Sequence, residues 1–118
     1  MDKLKPTTQL LGRFQPWHKG HTELFERAVA KTGQVIIMLR EMSMDEENPY
    51  TFTERCSMIE RHLSMRGYSK ESYDIMSVPN ITHITYGRDV GYKIEQEHFD
   101  QDIEDISATK IRQKLFTD

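Results

Sequence analysis

The stretch that decides the fold is GRFQPWHKGH, which runs from Gly12 to His21. It follows an apolar pair, Leu10-Leu11, and precedes a helical pattern of apolar residues that begins at Leu24. This order predicts a turn that leads from a first strand into a first helix. Such a turn points backbone N–H groups and the positive end of the helix dipole at a bound group, an arrangement that favours phosphate.

The side chains of this turn also suit a polyphosphate. His18 and His21 lie three residues apart, on one side of the entering helical turn. Gly20 between them has no Cβ, so a ligand can approach the backbone closely. Arg13 and Lys19 add positive charge. The stretch therefore predicts a polyphosphate-binding turn.

Length and composition limit the classes of protein to which the chain can belong. Its 118 residues predict a single domain, residues 1–118, and the charged share of 30% is typical of a folded soluble chain. No apolar run approaches the roughly 18 residues that cross a membrane, and no signal peptide is visible. The single cysteine, Cys56, excludes an internal disulfide and favours a reducing cytoplasm. A net charge of −3 gives no electrostatic footprint for nucleic acid.

The first third of the chain predicts a βαβ unit. A strand over residues 8–14 is followed by a helix over Lys19–Thr32, which Gly33 ends as a left-handed stop. Residues 34–39 form a continuous apolar run, which is typical of a parallel strand buried on both faces. The unit therefore predicts a parallel sheet with a right-handed crossover.

The rest of the chain continues the alternation of helices and strands. Thr51 and Glu54 have the spacing of a capping box, which predicts the start of a second helix that ends at Gly67. The remaining predicted elements are strands at Tyr73–Val78, 81–86 and 92–99 and a last helix from residue 106. This pattern predicts an α/β fold, a small doubly wound, Rossmann-like and mostly parallel sheet of about five strands flanked by helices.

The topology also predicts where a ligand binds. In doubly wound sheets the ligand lies beyond the carboxyl ends of the strands, at the switch point. The first turn, the residues after strand 81–86 and the start of the last helix are all expected at that edge. This placement would gather His18, His21, Arg88 and Arg112 around one site.

Two segments resemble the signatures of the HxGH nucleotidyltransferase superfamily. GRFQP followed by HKGH, within residues 12–21, resembles the first signature, and ISATKIR at residues 106–112 resembles the second, usually written ISSTxIR. The GRFQP form and residues 47–55 are more similar to the nicotinamide mononucleotide adenylyltransferase branch than to the glycerol-phosphate cytidylyltransferase branch. The resemblance covers most of the chain.

The resemblance implies a reaction. A nucleoside triphosphate, ATP above the others, binds with Mg²⁺, and a phosphate oxygen of a small phosphorylated acceptor such as nicotinamide mononucleotide attacks the α-phosphorus. Pyrophosphate leaves without a covalent enzyme intermediate. Mg²⁺ is expected to bind mainly through the substrate phosphates, so no residue is assigned as a metal ligand. Catalysis then depends on positioning and on charge stabilisation of the transition state.

The resemblance also implies the roles of individual residues. His18 and His21 stabilise the pentacoordinate α-phosphorus, and Arg112 clamps the β- and γ-phosphates, so these three are the expected catalytic residues. The expected nucleotide-binding residues are Gly12, Arg13, Phe14, Gln15, Gly20, Gly87, Arg88, Ser107 and Thr109. Ser107 and Thr109, at the start of the last helix, are expected to hydrogen-bond the β- and γ-phosphates.

Two departures from the family pattern leave alternatives open. Ala108 stands where serine is common, and the region between Gly87 and Ser107 is abbreviated. A trimmed acceptor site fits a smaller acceptor, completion by another subunit of a homo-oligomer, or reduced activity. The alternative functions are a cytidylyltransferase that uses CTP and a phosphorylated alcohol, and a nucleotide-binding module that lost turnover.

Several residues with potential chemistry also have structural interpretations. Trp17 either stacks on a base or packs under the first helix. Cys56 is expected to be a small core residue. The loop segment 45–47 is expected to be solvated, and the isolated histidines to be structural; these are His62, His83 and His98.

Overall fold

The computed structural model describes residues 1–88 and 91–99, which form a parallel sheet with two helices packed against it. The elements are β1 (Thr8–Gly12), α1 (Lys19–Thr32), β2 (Val35–Arg40), α2 (Phe52–Met65) and β3 (Tyr73–Val78). The strand order is β1-β2-β3, and both strand pairs are parallel. The predicted α/β class and the first βαβ unit are therefore confirmed.

Both helices begin and end where the local sequence chemistry predicts. His18 is the N-cap of α1, and Gly33 ends this helix with a φ of 86° in the left-handed region. Thr51 and Glu54 form the predicted capping box of α2. Since these signals involve residues only a few positions apart, the bounds of the helices follow from local sequence.

The core lies between the two helices and one face of the sheet. Its buried members come from all five elements and from the turn before α1, and are Leu10, Phe14, Trp17, Phe25, Ala28, Val35, Ile37, Leu39, Ile59, Leu63 and Tyr73. Along β2, alternate residues point to opposite faces, so Ile36 and Met38 leave this core and are only half-buried. β2 is thus fully buried on one face of the described sheet, as predicted, but only half-buried on the other face.

β1 is shorter than predicted, because the strand ends at Gly12 instead of continuing to Phe14. Phe14 has a φ of 50°, in the left-handed region, which no strand residue can adopt. The change of direction therefore begins inside the GRFQP segment, two residues earlier than the apolar pattern indicates.

The strands predicted at residues 81–86 and 92–99 are wrong, since both segments are irregular in the structure. Only Pro79 and Asn80 separate the first of them from β3, whereas a parallel partner needs a crossover of about a dozen residues or more. A tight antiparallel hairpin requires positive φ at the first turn residue, and the ring of Pro79 holds φ near −65°. The described part of the chain therefore has three strands instead of about five.

Residues 92–99 instead contact the surface of α1 through side chains. Lys31 of this helix forms ion pairs with Glu95 at 2.7 Å and Glu97 at 3.3 Å. The Arg27 guanidinium lies 4.4 Å from the centre of the Phe99 ring. The predicted last helix, with the second signature, lies outside the described residues. No helix in the described ranges has both the length and the apolarity to cross a bilayer.

Candidate functional site

The two loops that leave β1 and β2 meet at the carboxyl edge of the sheet, where a doubly wound fold binds its ligand. The first loop is the GRFQP turn and the second spans residues 41–51. Hydrogen bonds join the loops at two places, through Arg13 and through Gln15. The predicted site is therefore built from two loops that are connected to each other.

Phe14 shapes the first loop from inside. Its ring is buried and lies over Gly12, where an added Cβ would come within 2.9 Å of the ring atom Cζ. Its left-handed backbone costs on the order of 1 kcal/mol or more for a residue with a side chain, so the surrounding contacts must hold it. Gly12 thus provides room for the Phe14 ring, and the chain turns sharply between β1 and α1.

His18 and His21 both use Nδ1 to cap the first turn of α1. The Gly20 N–H donates to His18 Nδ1 at 3.0 Å, and the His18 N–H donates to His21 Nδ1 at 3.2 Å. A neutral imidazole that accepts at Nδ1 carries its proton on Nε2. Each ring therefore has an Nε2–H group that remains available to donate to a ligand.

Burial keeps both histidines uncharged at neutral pH. Desolvation, with a smaller contribution from the charge of His62, lowers the pKa of His18 from 6.5 to about 4. Desolvation, with the charges of His18 and His62, lowers the pKa of His21 from 6.5 to about 3. Protonation at Nδ1 would also break the capping hydrogen bonds. The pair therefore offers neutral donors, and positive charge must come from other groups.

Aromatic rings hold the histidine pair in place. The rings of His18 and His21 are stacked, with their centroids 3.8 Å apart. The Phe14 and His21 rings form an edge-to-face contact, with their centroids 4.8 Å apart. Trp17 is 2% exposed, and its Nε1–H donates to the Thr22 hydroxyl at 2.8 Å. Of the two alternatives for Trp17, the structure supports packing under α1, because no face of this buried ring is open to a base.

Gln15 connects the two loops with both ends of its side-chain amide. Its Nε2 donates to the Tyr50 carbonyl at 3.0 Å, and its Oε1 accepts the Tyr50 N–H at 2.9 Å. The residue is only 4% exposed. The side-chain amide thus forms the same pair of hydrogen bonds with Tyr50 that a backbone amide of a neighbouring strand would form. The predicted contact of Gln15 with a nucleotide stays a prediction.

Arg13 reaches the second loop through a buried asparagine. Its Nη1 donates to Asn48 Oδ1 at 3.3 Å, and the Asn48 Nδ2 group donates to Asp45 Oδ1 at 3.0 Å. The Asp45 carboxylate also accepts the backbone N–H groups of Glu47 and Asn48, and the hydrogen bond from Asn48 is the main cause that lowers its pKa. Asp45 therefore organises the loop that had been expected to be merely solvated.

A residue that sequence reasoning missed lies beneath both loops. Arg55 is 1% exposed and donates to a backbone carbonyl in each loop, to the Arg40 carbonyl at the end of β2 and to the Glu41 carboxylate. Its position offered a signal, because Arg55, Ile59 and Leu63 are spaced along one face of α2 and all three are buried. A cation on the apolar face of a helix needs buried acceptors.

The remaining predicted site residues are only partly placed. Gly20 lies in the first turn of α1, where its N–H caps His18. Gly87 and Arg88 are exposed, and an added Cβ at Gly87 would meet no atom within 4 Å. Ser107, Thr109 and Arg112 lie outside the described residues. Among residues 1–88 and 91–99, no group of at least three His, Cys, Asp or Glu side chains is placed to hold a metal ion.

The two histidines predict how stability depends on pH. The unfolded chain binds protons at histidine near pH 6.5, whereas the folded chain does so only near pH 4 at His18 and pH 3 at His21. Because the unfolded state binds more protons in this window, the free energy of unfolding should fall as the pH drops from about 6.5 to 4.

The measurement is the melting temperature at several pH values between 7.5 and 4. The matched variant is the double substitution His18→Asn and His21→Asn, whose amide oxygens keep the caps without titrating. The difference between the two curves isolates the histidines, because the carboxylates contribute equally to both. Parallel curves would show that the two rings titrate normally in the folded chain.

Comparison with known proteins identifies the family. The family described as cytidylyltransferase-like matches residues 10–89. A nicotinamide-nucleotide adenylyltransferase of Thermococcus sibiricus is 29% identical over 136 residues, which cover 92% of this chain and 72% of that protein. The corresponding protein of Pyrococcus furiosus is 31% identical over 134 residues, with coverages of 89% and 70%.

A solved structure shares the fold. The crystal structure of a bifunctional NMN adenylyltransferase/ADP ribose pyrophosphatase from Francisella tularensis, complexed with AMP and a manganese ion, matches with a TM-score of 0.60 and 29% identity. The match covers 64% of this chain but only 23% of that protein.

The alignment lengths also bear on the abbreviated region. The first alignment spans 136 positions, yet it takes up 92% of a chain of 118 residues. The Thermococcus protein therefore has residues within the aligned stretch that this chain lacks. That the shortening lies between Gly87 and Ser107 stays a prediction.

Proposed function

Because this chain belongs to the nicotinamide-nucleotide adenylyltransferase branch of the cytidylyltransferase-like family, we propose that it transfers AMP from ATP to nicotinamide mononucleotide and releases pyrophosphate. The observation that carries the proposal is the pair of neutral Nε2–H donors at the first turn of α1. His18 and His21 place them at the carboxyl edge of the sheet, beside backbone N–H groups of a helix N-terminus.

In the proposed reaction, an acceptor phosphate oxygen forms a bond to the α-phosphorus of ATP while the bond to the bridging oxygen of pyrophosphate breaks. His18 and His21 donate hydrogen bonds from Nε2 to the phosphate oxygens on which negative charge develops. Since both imidazoles are neutral and their Nδ1 atoms are engaged, neither ring needs to exchange a proton. The residues contribute by positioning and by fixed dipoles, as is general in phosphoryl transfer.

The proposal includes a divalent cation, Mg²⁺, held mainly by the phosphates of ATP. The donor set fits this mode of binding, because His18 and His21 accept hydrogen bonds at Nδ1 and present Nε2–H groups, which donate to phosphate oxygens and do not ligate a cation. When bound, the ion neutralises charge on the β- and γ-phosphates. On the basis of the second signature, we assign the remaining positive charge to Arg112, and hydrogen bonds to the same phosphates to Ser107 and Thr109.

We also propose that residues 1–118 act as one cytoplasmic domain without nucleic acid. The single cysteine and the net charge of −3 support this assignment. The abbreviated stretch before Ser107 supports an acceptor site that is either smaller or completed by another subunit of a homo-oligomer.

A screen of pyrophosphate release tests the function. ATP, CTP, GTP and UTP are crossed with nicotinamide mononucleotide, phosphopantetheine and glycerol 3-phosphate, with a His21→Asn variant as the control for contaminating enzymes. We expect release with ATP and nicotinamide mononucleotide, and at least tenfold less with every other pair. Release with CTP and glycerol 3-phosphate would identify a cytidylyltransferase, and ATP binding without release on any acceptor would identify a nucleotide-binding module.

A further inference from the structure

We propose that Arg55 is a positioning residue, which holds the turn between β1 and α1 in the geometry that ATP binding requires. The inference rests on the proposed function, since it concerns the same site. Arg55 itself lies beneath the loops, where a ligand cannot touch it, because only 1% of its surface is exposed. Its effect on the reaction must therefore pass through the groups to which it donates.

The guanidinium joins the ends of two strands and one helix. Its Nη1 donates to the Arg13 carbonyl at 2.9 Å, just beyond the end of β1, and to the Arg40 carbonyl at 3.0 Å, at the end of β2. Its Nε donates to the Thr51 carbonyl at 3.3 Å, at the N-cap of α2. Its Nη2 forms an ion pair with Glu41 at 2.8 Å.

The bond to Arg13 has a direct consequence for the turn. The Arg13 carbonyl belongs to the peptide group that precedes Phe14, whose φ of 50° begins the change of direction. Because rotation of this peptide group changes φ of Phe14 and ψ of Arg13 together, a fixed carbonyl fixes the start of the turn. The Arg13 side chain then points to Asn48, and the following residues lead to His18.

A purely structural role would be met more simply by an apolar residue. Arg55 shares its face of α2 with Ile59 and Leu63, where burial of a charge is costly and a hydrophobic side chain of similar volume often stabilises a protein as well or better. An apolar side chain, however, would leave the carbonyls of Arg13 and Arg40 without a donor. Only a planar guanidinium presents donors in several fixed directions at once.

The experiment compares ATP affinity and turnover in Arg55→Lys and in a matched control, Arg66→Lys. Arg66 is the C-cap of α2 and, like Arg55, forms ion pairs with acidic residues, which are Glu23 and Glu26 of α1. It lies at the opposite end of this helix from the loops. ATP alone is titrated calorimetrically, at a temperature at which circular dichroism shows each variant to be folded. We expect the Kd for ATP to rise at least tenfold in Arg55→Lys and less than twofold in Arg66→Lys.

An unchanged Kd for ATP in folded Arg55→Lys, with only a lower melting temperature, would overturn the inference. If Arg55→Lys does not fold, Glu41→Gln replaces it, because the Glu41 side chain is 42% exposed and glutamine keeps an oxygen that can accept the hydrogen bond from Nη2. We expect the Kd to rise about threefold, since the pairing of Nη2 weakens. If the Glu41 carboxylate only repelled the triphosphate, its removal would lower the Kd for ATP. An unchanged or lower Kd in Glu41→Gln therefore contradicts the inference.

The binding measurement also separates this inference from the proposed function. A wild-type chain that binds ATP but releases no pyrophosphate would contradict the proposed reaction and still allow Arg55 to be tested. A wild-type chain with full turnover, together with equal ATP affinity in Arg55→Lys, would contradict the role of Arg55 alone.

Discussion

Substitution of His21 by asparagine should lower the turnover of adenylyl transfer by a factor of about 10² to 10³, as loss of a preorganised transition-state donor does in other enzymes. The asparagine Oδ1 can take the place of Nδ1 as acceptor for the His18 N–H, so the capping box of α1 survives. The shorter side chain has no group at the position of Nε2. The donor to the reacting phosphate is therefore lost, while the cap remains.

The cost in stability should be small by comparison. Loss of the ring contacts with Phe14 and His18 should lower the free energy of unfolding by about 1–2 kcal/mol. The measurements are kcat and KM for ATP from pyrophosphate release, together with the melting temperature. The expected result is a loss in kcat that far exceeds the change in KM, because the missing hydrogen bond strengthens in the transition state.

His62→Asn is the matched control for this experiment. His62 lies on α2, and its Nδ1 is hydrogen-bonded with the Met58 carbonyl at 2.8 Å. Asparagine keeps a polar side chain at this position of α2, so turnover of the control should stay within twofold of the wild type. Near-normal pyrophosphate release by His21→Asn, or equal losses in both variants, would contradict the assigned role of His21.

The neutrality of the histidine pair changes the electrostatic account of the site. A triphosphate carries several negative charges, and two neutral donors can orient it but cannot balance it. In the described residues, positive charge near the turn comes from Arg13, from Lys19 at the start of α1 and from the N-terminal end of the α1 dipole. Under the proposed function, most of the compensation is assigned to the cation that would bind with ATP and to Arg112, whose role stays a prediction from the second signature.

Local chemistry explains which parts of the fold could be predicted from the sequence. The bounds of α1 depend on His18 and Gly33, and the start of α2 on Thr51 and Glu54, all of which act within a few residues. Residues 81–86 have the composition of a strand, which is why the sequence wrongly predicts a strand there. Composition does not show whether the link from β3 is long enough, or has the right turn residues, for this segment to pair with another strand. The two-residue link through Pro79 decided that point.

Contacts between distant residues explain why the candidate site could be predicted only in part. The histidine spacing and the turn indicated phosphate binding because they lie within ten residues of each other. Gln15 bonds Tyr50, 35 residues away, and Arg55 bonds the Arg13 carbonyl, 42 residues away. No local sequence pattern shows which backbone groups these two side chains contact. Both side chains are buried, and each supplies hydrogen bonds to backbone groups of the loops.

Substitution of Gln15 by methionine should strongly destabilise the carboxyl edge of the sheet. Methionine fills a similar volume but cannot pair with Tyr50, so a backbone N–H and a carbonyl both lose their partner. Each unsatisfied buried group costs about 1–3 kcal/mol, and a total of roughly 2–4 kcal/mol is expected. For a chain of this size the melting temperature should fall by about 10–20 °C.

The matched control is Gln9→Met, because Gln9 lies on β1 and is exposed. Thermal unfolding followed by circular dichroism should show a change of no more than about 0.5 kcal/mol for this variant, as is usual for exposed positions. Gln15→Met should also weaken ATP binding, since release of Tyr50 frees the second loop from the turn that carries His18. Equal melting temperatures for the two methionine variants would contradict this prediction. They would mean that water replaces the Gln15 amide at Tyr50 without a loss of stability, and that the two loops do not depend on this side chain.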